Sequence, residues 1–130
     1  MRSRDTLLRL HRFRTEEKRR QVADIDSMIQ DFMRKYDDLD AQVKMEESRN
    51  GISDPNHFNY SLSAKAARGR RDNLMKSIAE LKDQLNDAQT LLAEEQSELR
   101  RAELLVEKEG GSGAVPLSGG DRLVPGLQLR

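Results

Sequence analysis

The chain has 130 residues, of which 35 % are charged and only 4 % aromatic, with a formal net charge of zero. That balance exceeds the usual charged fraction of about 25 % and leaves little bulky material for a thick globular core, as in a long solvated helical element. It also gives a nucleic-acid partner no global electrostatic support, and the lack of Cys excludes disulfides and thiolate metal sites and fits a reducing compartment.

In chain order, residues 1–20 come first. Arg2, Arg4, Arg9, Arg12, Arg14, Lys18, Arg19 and Arg20 oppose only Asp5, Glu16 and Glu17, a local balance of +5. Leu7, Leu8, Leu10 and Phe13 lie among them, and Ser3 or Asp5 is placed to cap a helix start. No apolar run of signal-peptide or membrane-spanning length occurs, which predicts a cytoplasmic protein without direct membrane insertion. From Val22 a heptad seam is clean: Val22, Ile25, Ile29, Phe32, Tyr36, Leu39 and Val43 alternate in steps of 3 and 4. The same frame runs backwards through Lys18, Thr15 and His11 to Leu8, so the seam is polar for about two turns there. The first helix is expected from about residue 4 to about 48.

Residues 49–60 break the pattern. Asn50-Gly51 is a helix stop, Asp54-Pro55 can cap and start a short helical turn, and Ser61 or Ser63 offers the next N-cap. A longer seam follows: Tyr60, Ala64, Ala67, Arg71, Leu74, Ile78, Leu81, Leu85, Ala88, Leu92, Glu95, Leu99, Ala102 and Val106. Only Arg71 and Glu95 are polar along it, and no Pro interrupts it, although Gly69 weakens the helix locally by about 1 kcal/mol. Such a helix, from about 61 to about 108, would be on the order of 70 Å long at about 1.5 Å per residue. After Glu109 the chain turns Gly-rich. Residues 110–130 are expected to form a flexible, disordered tail, with Gly110 as the helix C-cap.

A dozen residues suffice to turn the chain back, so the expected fold is all-α. It is a long antiparallel two-helix coiled-coil hairpin over residues 1–109, followed by the Gly-rich tail. In an antiparallel pair, facing residues have a constant sum of numbers. Val22 with Leu85, Ile25 with Leu81, Ile29 with Ile78 and Phe32 with Leu74 all give 106 or 107. The same register pairs Leu39 with Ala67 and Leu8 with Leu99, sets His11 to hydrogen-bond Glu95, and stacks Tyr36 on Arg71. It also lays residues 79–109, which carry a balance of −5, along the basic N-terminal stretch. A parallel homodimer would set like charges together, so a monomeric hairpin is the expectation.

No catalytic constellation emerges. The Gly-rich tail lacks the Gly-Lys-Ser/Thr ending of a phosphate loop, and paired acids such as Asp37-Asp38 and Glu46-Glu47 sit on helices without a pocket. His11 and His57 fall at opposite ends of the expected hairpin, which leaves no metal site using both. The expectation is a protein without catalytic residues, cofactor or metal. Two stretches stand out as partner surfaces. One is the basic start with Arg2, Arg4, Arg9, Arg12, Arg19 and Arg20, a docking face for an acidic partner or else a solvated face matched by the acidic half. The other is the turn with Ile52, His57, Phe58 and Tyr60, which either plugs the end of the seam or exposes an apolar contact.

Several of these residues resemble a known family. Ser3-Arg4-Asp5-Thr6-Leu7, Arg9-Leu10, Arg12-Phe13 and Glu17-Lys18-Arg19-Arg20-Gln21-Val22-Ala23 are similar to the N-terminus of alphaproteobacterial FliJ-type flagellar export proteins. So are Gly51-Ile52-Ser53-Asp54-Pro55, His57-Phe58, Tyr60, Ala64-Lys65-Ala66-Ala67-Arg68 and Arg70-Arg71-Asp72-Asn73-Leu74. The similarity covers about residues 1–108, and its loop and Arg-Arg-Asp-Asn-Leu segments are not dictated by heptads. The tail departs from the family, which continues charged and helical. The resemblance implies a non-enzymatic stalk and chaperone of the flagellar type III protein export apparatus, cytoplasmic and peripherally associated with the flagellar base at the inner membrane. Its implied partners are the export ATPase ring, the membrane export gate and export chaperones. The basic end would face the ATPase and the turn would face the gate. The alternatives are a generic cytoplasmic coiled-coil adaptor or homo-oligomeric scaffold unrelated to flagella and, less favoured, nucleic-acid binding through the Arg-rich start.

Overall fold

The computed structural model describes residues 2–113. It is an all-α helical hairpin of two long helices packed against each other, α1 (Arg2–Asn50) and α2 (Leu62–Gly113). Heptad periodicity accounts for the pairing. Every expected seam position from Leu8 to Val43 and from Tyr60 to Val106 is buried or half-buried, whereas the residues between them are mostly exposed. The described residues divide into two compact units, Arg20–Gln89 and the set 2–19 with 90–113.

In the first unit the connecting loop joins two antiparallel helical segments. Its core is Ile29, Val43, Tyr60, Ala64, Ala67, Leu81 and Ala88, with Ala64 and Ala67 fully buried. Small residues at successive seam positions let the two backbones approach closely beside Val43, itself 2 % exposed. α1 stops where Gly51 takes a φ of +76°, a left-handed conformation that a side chain disfavours, and the Gly51 N–H bonds to the Glu47 carbonyl at 2.8 Å. Asp54 caps the single turn expected after it, which closes once and does not extend into a helix. Asp54 Oδ1 accepts from the Asn56 N–H at 3.0 Å, and two tight turns follow, His57 N–H to Asp54 carbonyl and Tyr60 N–H to His57 carbonyl, each 3.0 Å. Ser61 is the N-cap of α2, its hydroxyl accepting from the Ala64 N–H at 3.2 Å.

In the second unit, the start of α1 packs against the later part of α2 around Leu8, Thr15 and Ala102. Thr15 is a buried polar residue at 1 % exposure, and its hydroxyl donates to the His11 carbonyl at 2.7 Å. α2 runs on to Gly113 rather than ending near 108, so Gly110 lies within the helix instead of capping it. Of the tail expected over 110–130, residues 114–130 lie outside the described residues.

Candidate partner-binding surfaces

The terminal unit carries the basic stretch as far as Arg19, and Arg20 falls in the other unit. His11 Nδ1 and Glu95 Oε2 are 2.7 Å apart, with side chains 12 % and 15 % exposed, so the expected polar pair inside the seam is present. Arg4 Nε reaches Glu109 Oε2 at 4.0 Å, and Arg19 bonds along its own helix to Glu16 at 2.7 Å. Arg9, Arg12 and Arg20 are exposed and form no ion pair among the described residues. The side chain of Arg2 lies outside the described part. The acidic half of α2 therefore meets the basic stretch at Arg4 and His11, and does not consume the rest. The reason is angular: Leu8, His11, Thr15 and Lys18 set the inward face, with Arg12 exposed at its edge and Arg9 further round the helix. Phe13 is 58 % exposed.

The loop surface in the other unit separates residues that the sequence grouped. Tyr60 is 7 % exposed and plugs the seam, its hydroxyl donating to Glu47 Oε2 at 2.5 Å, while Arg68 Nη1 stands 3.9 Å from the same carboxylate. Burial first, then the hydrogen bond to Glu47, pushes the Tyr60 phenol above its usual range. Phe58 is the opposite case, 90 % exposed, with its ring stacked on His57 at 5.1 Å and 13° between planes. The loop holds it there through three contacts: Asn59 N–H to His57 Nδ1, Asn50 Nδ2 to the Asn59 carbonyl (both 3.0 Å), and the Tyr60 bond. Ile52 is half-buried. Leu62, 81 % exposed, was not flagged by the sequence; its place directly after the Ser61 cap and off the seam is the available signal. A shallow groove lined by Lys44, Glu47, Ser48, Gly51 and Ser53 runs beside the loop.

Further along that unit, Arg71 corrects the expected stacking on Tyr36. Its guanidinium turns to Asp40, with Nη1 2.9 Å from Oδ1, and also to Asp72 at 3.3 Å. A carboxylate one helical step from the Tyr36 level offers a charged partner, and a charge-assisted bond outweighs a ring face. Burial works against the Arg71 charge, but the bonds to Asp40 and Asp72 prevail and raise its pKa. Asp40 is held below the usual carboxylate range, first by Lys44 at 3.0 Å and then by Arg71.

Among the described residues, no group of three or more His, Cys, Asp or Glu side chains is arranged to hold a metal ion, and His11 and His57 fall in different units. No helix among them is long and apolar enough to cross a membrane. Compared with known proteins, the chain matches no family model, no curated protein and no solved structure.

Proposed function

We propose that this protein is a non-enzymatic stalk of a flagellar type III export apparatus, working beside an export ATPase ring and a membrane export gate. The resemblance to FliJ-type proteins motivates the reading, and the helical hairpin supports it, since a two-helix antiparallel coiled coil is the fold that resemblance implies. One observation carries most weight. Residues of the resemblance that an apolar heptad pattern does not call for have distinct structural tasks here: Gly51 ends α1, Asp54 makes the Asx turn, and Arg71, a polar residue within the seam, joins Asp40. In this proposal the exposed basic residues Arg9 and Arg12 of the terminal unit meet the ATPase, and the raised Phe58 meets the gate or a chaperone.

The test is secretion in a strain deleted for the gene, scoring hook and filament subunits in the medium together with motility. Loss of both, restored by the full chain and by the chain lacking residues 114–130, is the expected result. Phe58→Ser should restore less than the parent while accumulating to the same level. Normal secretion and swimming in the deleted strain would overturn the export reading and leave the unrelated scaffold.

A further inference from the structure

The turn that ends α1 is also a reactive dipeptide. Asn50 alone among the five asparagines is followed by glycine; Asn56, Asn59, Asn73 and Asn86 precede His57, Tyr60, Leu74 and Asp87. The backbone nitrogen of the next residue can attack an Asn side chain, and glycine, without a Cβ, hinders that attack least. The Gly51 nitrogen gives up its proton and bonds to Asn50 Cγ, the Cγ–Nδ2 bond breaks, and ammonia leaves with that proton. Water then opens the five-membered succinimide at either carbonyl, giving aspartate or isoaspartate. Asn50 and Gly51 are both exposed, so water and base reach them.

The fold holds this reaction back. The Gly51 N–H, the group that must lose its proton, donates to the Glu47 carbonyl at 2.8 Å as the last rung of α1. That rung keeps Asn50 near the helical ψ of about −42°, and ring closure needs ψ rotated far outside that well. Asn50 Nδ2, the leaving group, donates to the Asn59 carbonyl at 3.0 Å, which ties the amide to the loop. The loop is fixed in turn to the last turns of α1, because the Tyr60 hydroxyl donates to Glu47 Oε2 at 2.5 Å. We infer that Asn50-Gly51 is a self-modification site gated by this loop: it converts only in molecules whose loop has opened, and conversion keeps the loop from closing again. The second half follows from the product. Aspartate at position 50 has no donor for the Asn59 carbonyl, sets a carboxylate against it, and adds negative charge at the negative end of α1. Isoaspartate also lengthens the backbone by a methylene group, which displaces the Gly51–Glu47 rung. The loop so released is the one that holds Phe58 out at 90 % exposure. The inference does not rest on the export reading, because both the chemistry and its test concern the loop alone.

The experiment incubates the full chain in mildly alkaline buffer, native or unfolded in guanidinium chloride. Mass spectrometry of pepsin fragments then reads the amide-to-acid mass gain at each asparagine. In the unfolded chain Asn50 should convert fastest of the five. In the native chain it should convert at least about tenfold more slowly, because a group reached only through local opening reacts in proportion to the open fraction. Tyr60→Phe, which frees Glu47 from the loop, should raise the native rate several-fold and leave the unfolded rate unchanged. Asn50→Asp should speed hydrogen exchange in residues 51–61 at undiminished helicity by far-UV circular dichroism. It should do so more than Asn50→Ala, which removes the donor without adding the charge. Equal rates in the native and unfolded chains, or a native rate indifferent to Tyr60→Phe, would overturn the gate. Absence of any preference for Asn50 in the unfolded chain would overturn the site, and loop exchange in Asn50→Asp equal to the parent's would overturn the release. Normal or absent secretion in the deleted strain bears on the export reading and not on this one.

Discussion

Two residues in the Arg20–Gln89 unit make stability depend on pH in opposite directions. Asp40 accepts from Lys44 and Arg71, which lowers its folded pKa. Its contribution is complete above the unfolded value of about 3.9 and is lost as pH falls through the lower folded value. Asp40→Asn should therefore have a lower urea midpoint than the parent at neutral pH, and the two midpoints should converge in strong acid. A gap that persists unchanged to the lowest pH would refute the assignment. Tyr60 is the reverse: burial and Glu47 raise its folded pKa, so the neutral phenol is the form that fits. Its contribution is complete below the unfolded value of about 10 and fades as pH rises through the higher folded one. Tyr60→Phe should cost about 1.5–3 kcal/mol at neutral pH, the usual worth of a hydrogen bond to a charged group. Thermal melts taken from neutral to strongly alkaline pH should show that deficit shrinking, because the Phe variant has no phenol to ionise. A constant deficit would show that the lost bond acts independently of Tyr60 titration.

Helices and turns obey different rules, which two glycines make measurable. Gly69 lies exposed within α2, and a Cβ there would meet nothing within 4 Å. Gly69→Ala should stabilise by about 1 kcal/mol through helix propensity alone. Gly51 has equally open surroundings, yet its φ of +76° makes Gly51→Ala unfavourable by about 1 kcal/mol. Equal signs for the two substitutions, in chemical denaturation, would contradict the account. The same division explains what the sequence made legible. Seam residues obey a period that a list of spacings reveals, so both helices, their pairing and the His11–Glu95 layer could be anticipated. Polar side chains, on the seam or off it, obey local competition that spacing does not encode. Arg71 chose Asp40 over the ring of Tyr36, and Arg19 chose Glu16 on its own helix. The candidate surfaces were legible as positions but not as exposures: Tyr60 and Phe58 are two residues apart, and one is buried while the other projects. The end of α2 was misjudged for a related reason, since Gly110 was expected to be a cap but continues the helix to Gly113.

Across the whole molecule the two units differ in what fills their seams, which fixes an order of local stability. The Arg20–Gln89 unit buries Ile29, Val43, Leu81 and three alanines, with Tyr60 closing it beside the loop. The terminal unit spends consecutive seam positions on His11, Thr15 and Lys18, opposed by Glu95. Polar layers fix register but contribute less than apolar ones of the same volume, because each group must give up water for one partner. Local opening should therefore begin in the terminal unit. Hydrogen exchange followed by mass spectrometry should find slower exchange in peptides from 25–45 and 64–88 than in those from 5–18 and 92–106. Replacing the pair together, as His11→Leu with Glu95→Leu, should slow exchange in the terminal peptides and leave the others unchanged. Replacing Glu95 alone should speed it, since a half-buried imidazole then loses its partner. If the double variant also exchanged faster, the His11–Glu95 layer would be a net source of stability and the proposed order would need another cause. If the order itself were reversed in the parent, seam composition would not govern opening in this protein.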